Sequence, residues 1–311
     1  MKIARLETSR SRAYVGPQGF YLEKDNLGAW ERITLDLDQI FCTEPEILKV
    51  WDGHKIEVEG KDYARTLLLK KDNEQIRFGL IEAELLYDYS IQATKELSIL
   101  ENLDLVSFCT SSIHPKLSGI KLDDNYLVAT DLNRLTVLEL ESPTGYNFTI
   151  PIELAKAIKK LDISEAKLEF AKNLVVFDNG DIYLVGRVLT PEFVDWKKIP
   201  QEPEIRFQVE PEPIIEALEK MQVLGALEVE ILGGEKLTLI GTPLGEAREI
   251  YKIEFPIRTE PIKVYSDLNF LLEGFKIGEP TIWGFDKEGT KIYLINPELK
   301  WRNIIAARIR K

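Results

Sequence analysis

The sequence predicts an α+β fold built from tandem strand–helix–strands units, with helices gathered on one face of antiparallel sheets. Three observations predict it. Short runs of branched, aromatic and alternating residues, punctuated by Gly, Asn and Asp, recur along the 311 residues. A few segments between them space their apolar side chains as helices do. The same plan (strand, short helix, strand, turn, strand) also returns at an interval on the order of 110 residues, a domain-sized period rather than a solenoid period.

Each element can be justified in order. The opening SRSRAYVGPQGFYLEKDNLGAW reads as strands and turns with no helix. RITLDLDQIFCTEPEILKVWDGHKIEVEGKDYARTLLLKKD is the faintest copy of the plan, with a short helix expected near Leu37 to Phe41. TKELSILENLDLVSFCTSS is a helix leading to YLVATDLNRLTVLEL, residues 126 to 140, which reads as a hairpin. Its tip is odd. Tight hairpins favour Asn-Gly or Asp-Gly, and here Leu132 and Asn133 occupy the turn.

FTIPIELAKAIKKLD runs from a strand into a helix at Pro151, a residue suited to a first helical turn. AKLEFAKNLVVFDNGDIYLVGRVL supplies strands divided at Lys172-Asn173 and at Asp178-Asn179-Gly180-Asp181. PEPIIEALEKMQVLG is the next helix, followed by strands in LEVEILGGEKLTLIGTPLGEAREIYKIEF. The last copy is PIKVYSDLNFLLEGFKIGEPTIWGFDKEGTKIYLIN, with Ser266 expected as N-cap and a turn at Asp286 to Gly289.

Composition narrows the function. The length suits two or three domains, and 44% hydrophobic residues can fill their cores. No apolar run reaches the roughly 18 residues a membrane span needs, and MKIARLETSRSR lacks an apolar signal core, so a cytoplasmic protein is expected. Cys42 and Cys109 read as free thiols. With two histidines and no metal-ligand spacing, no metal is expected. Nucleophile elbows, phosphate loops and glycine fingerprints are missing, so the sequence points away from an enzyme and calls for no cofactor. A net charge of −12 argues against a bulk electrostatic grip on nucleic acid.

Four patches carry a family resemblance. VATDLNRL resembles ATDGHRL of the bacterial sliding clamp, the beta subunit of DNA polymerase III, and TPEFVDWKKIPQ resembles its FPDYRRVIP. KLSGIKL is similar to its LNG-hydrophobic segment, and IYLINP to the strand ending in its MPM terminus. All four stand in family order across roughly residues 93 to 299.

The resemblance implies a DNA clamp fold, with helices lining an inner face and antiparallel sheets outside. It implies three clamp domains: 1–92, reduced and lacking its first helix, then 93–201, then 202–311 with a C-terminal tail. It further implies a processivity factor that encircles duplex DNA without reading its sequence. Polymerase and clamp loader would dock on it through short peptide motifs. Self-association into a homodimeric ring is expected, or a trimer if the first domain is inert.

Carried over residue by residue, the peptide pocket falls on Leu117, Thr130, Leu132, Arg134, Leu135, Pro200, Ile295 and Pro297. Leu117, Leu135 and the prolines are expected as walls, with Thr130 and Arg134 orienting the peptide. Leu132 stands where the family has glycine. ELKWRNIIAARIRK continues past Pro297, and its Trp301, Ile304 and Ile305 either cover the pocket or cap the sheet.

DNA contact is expected from Lys156, Lys159 and Lys160, opposite the Leu154, Ile158 and Leu161 face of their helix, and from Lys220. Other helices are less basic: Glu216, Glu219 and Lys220 share one polar face, and Glu101 and Asp104 share another. A clamp-like adaptor or inhibitor that binds peptides without encircling DNA is the competing reading.

Overall fold

The computed structural model describes residues 1–6, 10–24, 26–51, 54–60, 66–96, 99–111, 113–188, 193–243 and 248–308. The start of the TPEFVDWKKIPQ patch and the last three residues lie outside them.

Three strands open the chain: β1 (Arg12–Gly16), β2 (Gly19–Lys24) and β3 (Leu27–Arg32). Then comes β4 (Phe41–Thr43), the one-turn α1 (Ile47–Val50), β5 (Lys55–Glu59), β6 (Thr66–Lys71), β7 (Glu74–Gly79) and the short β8 (Ile81–Glu82). The plan is next met as β9 (Lys95–Glu96), α2 (Leu100–Ser107), β10 (Gly119–Asp123), β11 (Tyr126–Thr130) and β12 (Arg134–Glu139). It returns as β13 (Asn147–Pro151), α3 (Ile152–Lys160), β14 (Lys167–Ala171), β15 (Leu174–Asp178) and β16 (Ile182–Arg187). Another copy is β17 (Ile205–Gln208), α4 (Pro211–Val223), β18 (Glu228–Gly233), β19 (Leu237–Thr242) and β20 (Tyr251–Phe255). The last is β21 (Ile262–Asp267), α5 (Leu268–Gly278), β22 (Ile282–Phe285), β23 (Lys291–Asn296) and β24 (Trp301–Ala306). The fold is α+β, as expected.

Two compact units result. One comprises residues 1–101 with 149–190, the other 102–148 with 191–311, so the segment 93–201 contributes to both. The first unit holds a nine-stranded sheet, β8-β4-β1-β2-β3-β16-β15-β14-β9, and the three-stranded β5-β6-β7. The second holds an eight-stranded sheet, β13-β10-β11-β12-β24-β23-β22-β17, and the four-stranded β20-β19-β18-β21. Each large sheet therefore takes strands from two of the expected domains.

Three local expectations are corrected. Residues 37–40 are not helical, and Phe41 starts β4; the helix comes later, at Ile47–Val50. Alternating Leu35, Leu37 and the acidic residues between them suit extended chain better than a helix. Asp267 caps α5 in place of Ser266, its carboxylate accepting from the Asn269 and Phe270 amides. Ser266 is fully buried in β21.

The third correction concerns the tail. Every other late copy has three strands after its helix, and β24 is the third strand after α5. It lies between β12 and β23, pairing Leu138 with Trp301, Leu135 with Ile304 and Arg134 with Ile305. Trp301 is fully buried and its Nε1 donates to the Leu105 carbonyl at 2.8 Å. A β-carbon on Gly278 would sit 2.2 Å from the Trp301 ring, which is why a glycine ends α5 there. The tail is core. Ile304 alone shares the apolar cluster described below.

Candidate functional site

The β11–β12 hairpin closes over Leu132 and Asn133: Thr130 pairs with Leu135, and the Asp131 amide donates to the Arg134 carbonyl at 3.3 Å. Leu132, its first central residue, has φ +78° and is 59% exposed. A positive φ favours glycine, so leucine there is strained. Side chains hold the turn. Asp131 Oδ1 accepts from the Asn133 and Arg134 amides, each at 3.0 Å. The Thr130 hydroxyl donates to the Arg134 carbonyl at 2.7 Å and accepts from the Leu132 amide at 3.1 Å. Its proton is committed to the turn, so Thr130 shapes the site and has none to offer a peptide.

Alternation along β12 sends neighbouring side chains to opposite faces. Leu135 and Val137 join Val128, Tyr293, Ile304 and Trp196 in one apolar cluster. The connector Phe193–Ile199 straps this face, with Phe193, Val194 and Ile199 packed against the cluster. Trp196 fixes the strap: its ring lies 5.1 Å from Tyr126, and its Nε1 donates to Asp123 Oδ2 at 3.1 Å. Lys197 pairs with the same oxygen at 2.9 Å. Burial pushes the Asp123 carboxyl up, but these two partners outweigh it and hold it below the usual range.

Arg134 points the other way. It is 8% exposed, its Nε donates to Asp131 Oδ2 at 2.9 Å, and Nη2 donates to the Phe108 carbonyl at 2.9 Å. Nη1 pairs with Glu273 on α5, and the guanidinium lies 4.4 Å from the Phe270 ring. On this helix-covered face Cys109 Sγ stands 2.7 Å from Thr136 Oγ1, and burial pushes its thiol up to about 12. Arg134 thus stitches the hairpin to α5 and does not share a face with Leu135.

The remaining sequence-predicted pocket residues divide. Leu117 is buried in a 3-10 turn before β10, and Pro200 is exposed at the end of the strap. Ile295 packs against the cluster. Pro297 is exposed in the β23–β24 turn, beside Trp301 and Arg302 at the end of β24 away from Arg134. Sequence reasoning missed Trp196, Tyr126, Tyr293 and the role of Ile304. Trp196 and Tyr293 had a signal, since each lies within a quoted patch; Tyr126 and Ile304 are ordinary alternating strand residues.

On α3, Leu154, Ala155, Ala157 and Ile158 are buried while Lys156, Lys159 and Lys160 are exposed. Glu153 in the first turn and two lysines in the last suit the helix dipole. Lys220 is exposed on α4, where the neighbouring Glu219 pairs with Lys276 of α5 at 2.6 Å.

In the first unit, a wider cleft of about 1310 Å³ lies over β2, β3 and β16. Several of its charged groups pair with one another. Arg32 lies 4.4 Å over Trp30 and makes a two-bond fork to Asp178 at 2.6 and 2.9 Å. Burial raises the Asp178 carboxyl, but the fork outweighs it and keeps it below the usual range. Tyr183 donates to the Ile91 carbonyl at 2.9 Å, and the buried Glu23 carboxylate accepts from the Leu86 and Tyr87 amides. The 85–93 connector packs on this face through Tyr87, Tyr89, Ile91 and Ala93.

An α+β chain that repeats strand–helix–three strands, with connectors strapped across large antiparallel sheets, has the architecture of a clamp. No family model and no curated protein matches the sequence. Solved structures match its fold. A chain from Eubacterium rectale described as a DNA polymerase III beta subunit superposes with a TM-score of 0.83 at 11% identity, over 99% of this chain and 97% of its own. The DNA polymerase sliding clamp of Caulobacter crescentus gives 0.81 at 15% identity, over 97% and 92%. The DNA polymerase III beta subunit of Thermotoga maritima gives 0.79 at 17% identity, over 99% and 95%. The fold is that of the sliding clamps.

Proposed function

We propose that this protein is a DNA sliding clamp of three clamp domains, residues 1–92, 93–201 and 202–311. Two copies close head to tail around duplex DNA in the cytoplasm and tether a replicative polymerase. The clamp is not an enzyme. The observation that carries this reading is the fold likeness over nearly the whole length of both chains.

Local features support it. Ile81 and Leu86 in one unit, and Val223, Leu224 and Leu227 in the other, are large apolar side chains left exposed. A heterologous ring contact would cover such residues, and closure prevents open filaments. Lys156, Lys159 and Lys160 form a cationic stripe suited to phosphate contact without base readout. The partly exposed Tyr126, Ile199 and Ile295 beside the strapped cluster offer apolar walls for a peptide anchor, with Leu132 exposed at the hairpin tip.

A second reading, an adaptor that does not encircle DNA, is favoured by the exposed carboxylates on α2 and α4, Glu101, Asp104, Glu212 and Glu216. Loading onto nicked circular DNA separates the two. A ring stays on the circle through a high-salt wash and is released when the circle is cut. An adaptor is not retained on either form.

A further inference from the structure

We infer that the first unit carries a docking cleft of its own, on the face of the nine-stranded sheet that the 85–93 connector crosses. Its occupant is a partner peptide with an aromatic anchor and a lysine or arginine about three residues from it. The cleft is separate from the peptide site proposed above and does not depend on it.

Strand register builds the cleft. Tyr21 faces Trp30 across β2 and β3, Trp30 faces Tyr183 across β3 and β16, and paired residues share a sheet face. Two residues along, Gly16 faces Gly19 and Gly19 faces Arg32, so β1 and β2 bring no side chain to that row. The face is low there, and the cleft of about 1310 Å³ lies over it. Half-buried Trp30, Leu85, Tyr89 and Ile91 line the cleft. Ile40 reaches in over Gly16, its Cγ1 2.8 Å from where a β-carbon would stand. Ile40 and Leu85 also line an adjoining cleft of about 820 Å³, so the two are continuous. The connector wall is already fastened: the Tyr87 hydroxyl donates to the Lys24 carbonyl at 3.0 Å, and Tyr183 to the Ile91 carbonyl at 2.9 Å. Binding therefore need not order it.

Charge complementarity identifies the occupant. Asp38 and Glu84 line the adjoining cleft, with no cation beside them among the described residues. Both are exposed, and neither makes a hydrogen bond or ion pair among the described residues. In the wider cleft Arg32 is committed to Asp178. Lys167 stands on the opposite side, since it faces Asp178, which in turn faces Tyr183. The acidic end is therefore the end at Ile40. Neighbouring strands lie about 4.8 Å apart, so Gly16, beneath Ile40, is about 10 Å from β3 and its Trp30. An extended peptide covers that distance in about three residues. With an aromatic anchor against Trp30 and Tyr89, a cation three residues away meets Asp38 and Glu84. Nucleic acid is disfavoured, because its phosphates would face these carboxylates in a chain of net charge −12.

The test uses three labelled hexapeptides that carry a phenylalanine and, three residues on, Lys, Gln or Glu, measured by fluorescence polarisation on the full chain. The Lys peptide should bind about fivefold tighter than the Gln peptide at low salt, with the gap closing as salt rises. The Glu peptide should bind more weakly than either. In Asp38→Lys/Glu84→Lys, two exposed positions, the order should reverse while the circular dichroism spectrum stays as it was. Equal affinities for the three peptides, or no binding of any of them, overturn the inference. An order that survives the double variant also overturns it, since the peptides would then sit elsewhere on the chain. None of these results bears on the site beside the β11–β12 hairpin. Displacement of the Lys peptide by a short single-stranded oligonucleotide overturns the assignment too, since the cleft would then serve nucleic acid.

Discussion

Arg134 and Leu135 are neighbours in the chain and stand on opposite faces of β12. Arg134 is locked to Asp131, Glu273 and the Phe108 carbonyl under α5, while Leu135 lies in the apolar cluster beneath Trp196. The two should therefore fail differently. Leu135→Ala empties a buried position, so it should cost about 2–5 kcal/mol of stability and also weaken a polymerase peptide by about 2 kcal/mol, some thirtyfold. Arg134→Ala should leave peptide affinity much less changed and cost about 2 kcal/mol of stability, because its charged partners lose their hydrogen bonds. Urea denaturation and peptide titration of both variants check this. Equal loss of peptide affinity in the two would refute the division of faces.

Leu132→Gly separates strain from contact. Glycine relieves the φ of +78°, so the variant should gain about 1 kcal/mol in stability. If the exposed leucine touches the peptide, affinity should fall at the same time. A melting temperature that rises with no change in affinity would make Leu132 a tolerated oddity.

Trp301 tests whether the tail is a cap or a core strand. Trp301→Ala removes a fully buried ring that no neighbouring side chain can replace, and should cost about 3–5 kcal/mol. Deleting residues 300–311 should unfold the second unit, seen as lost circular dichroism and protease resistance. A truncated chain that stays folded and binds peptide more tightly would restore the tail as a competitor.

Charge reversal of Lys156, Lys159 and Lys160 should reduce retention on circular DNA and processive synthesis while leaving folding intact, since all three are exposed. Binding of the parent chain to short linear duplex should be weak and should weaken further with salt. Tight, salt-resistant binding to a short duplex contradicts sliding.

Val223→Glu/Leu224→Glu tests assembly. Val223 is 86% exposed, so the change should not disturb the fold, yet it would place charges in the apolar contact proposed to close the ring. Light scattering should move from dimer to monomer, and retention on circular DNA should go with it. A variant that remains dimeric points to a different contact.

Much of the fold was written in local sequence. Leu154, Ile158 and Leu161 keep helical spacing whatever surrounds them, and turns such as Lys172-Asn173 form from residues that tolerate positive φ, as both do. The hairpin was legible for the same reason, with its leucine at a glycine position marking it out. Those signals are short-range. They depend on backbone preferences and on side chains within a few residues of one another.

What only the tertiary structure decided is long-range pairing. Nothing in ELKWRNIIAARIRK says that Trp301 will lie beside Leu138, more than 150 positions earlier in the chain, because a strand carries no label for its partner. That pairing turned an expected tail into the centre of an eight-stranded sheet and put Ile304 in the candidate site. It also carried Pro297 to the far end from the hairpin. Alternation likewise fixed that Arg134 and Leu135 would part, but which face each met depended on where α5 and the strap came to lie. Sequence determines the period of a strand; the packed sheet determines what stands on either side of it.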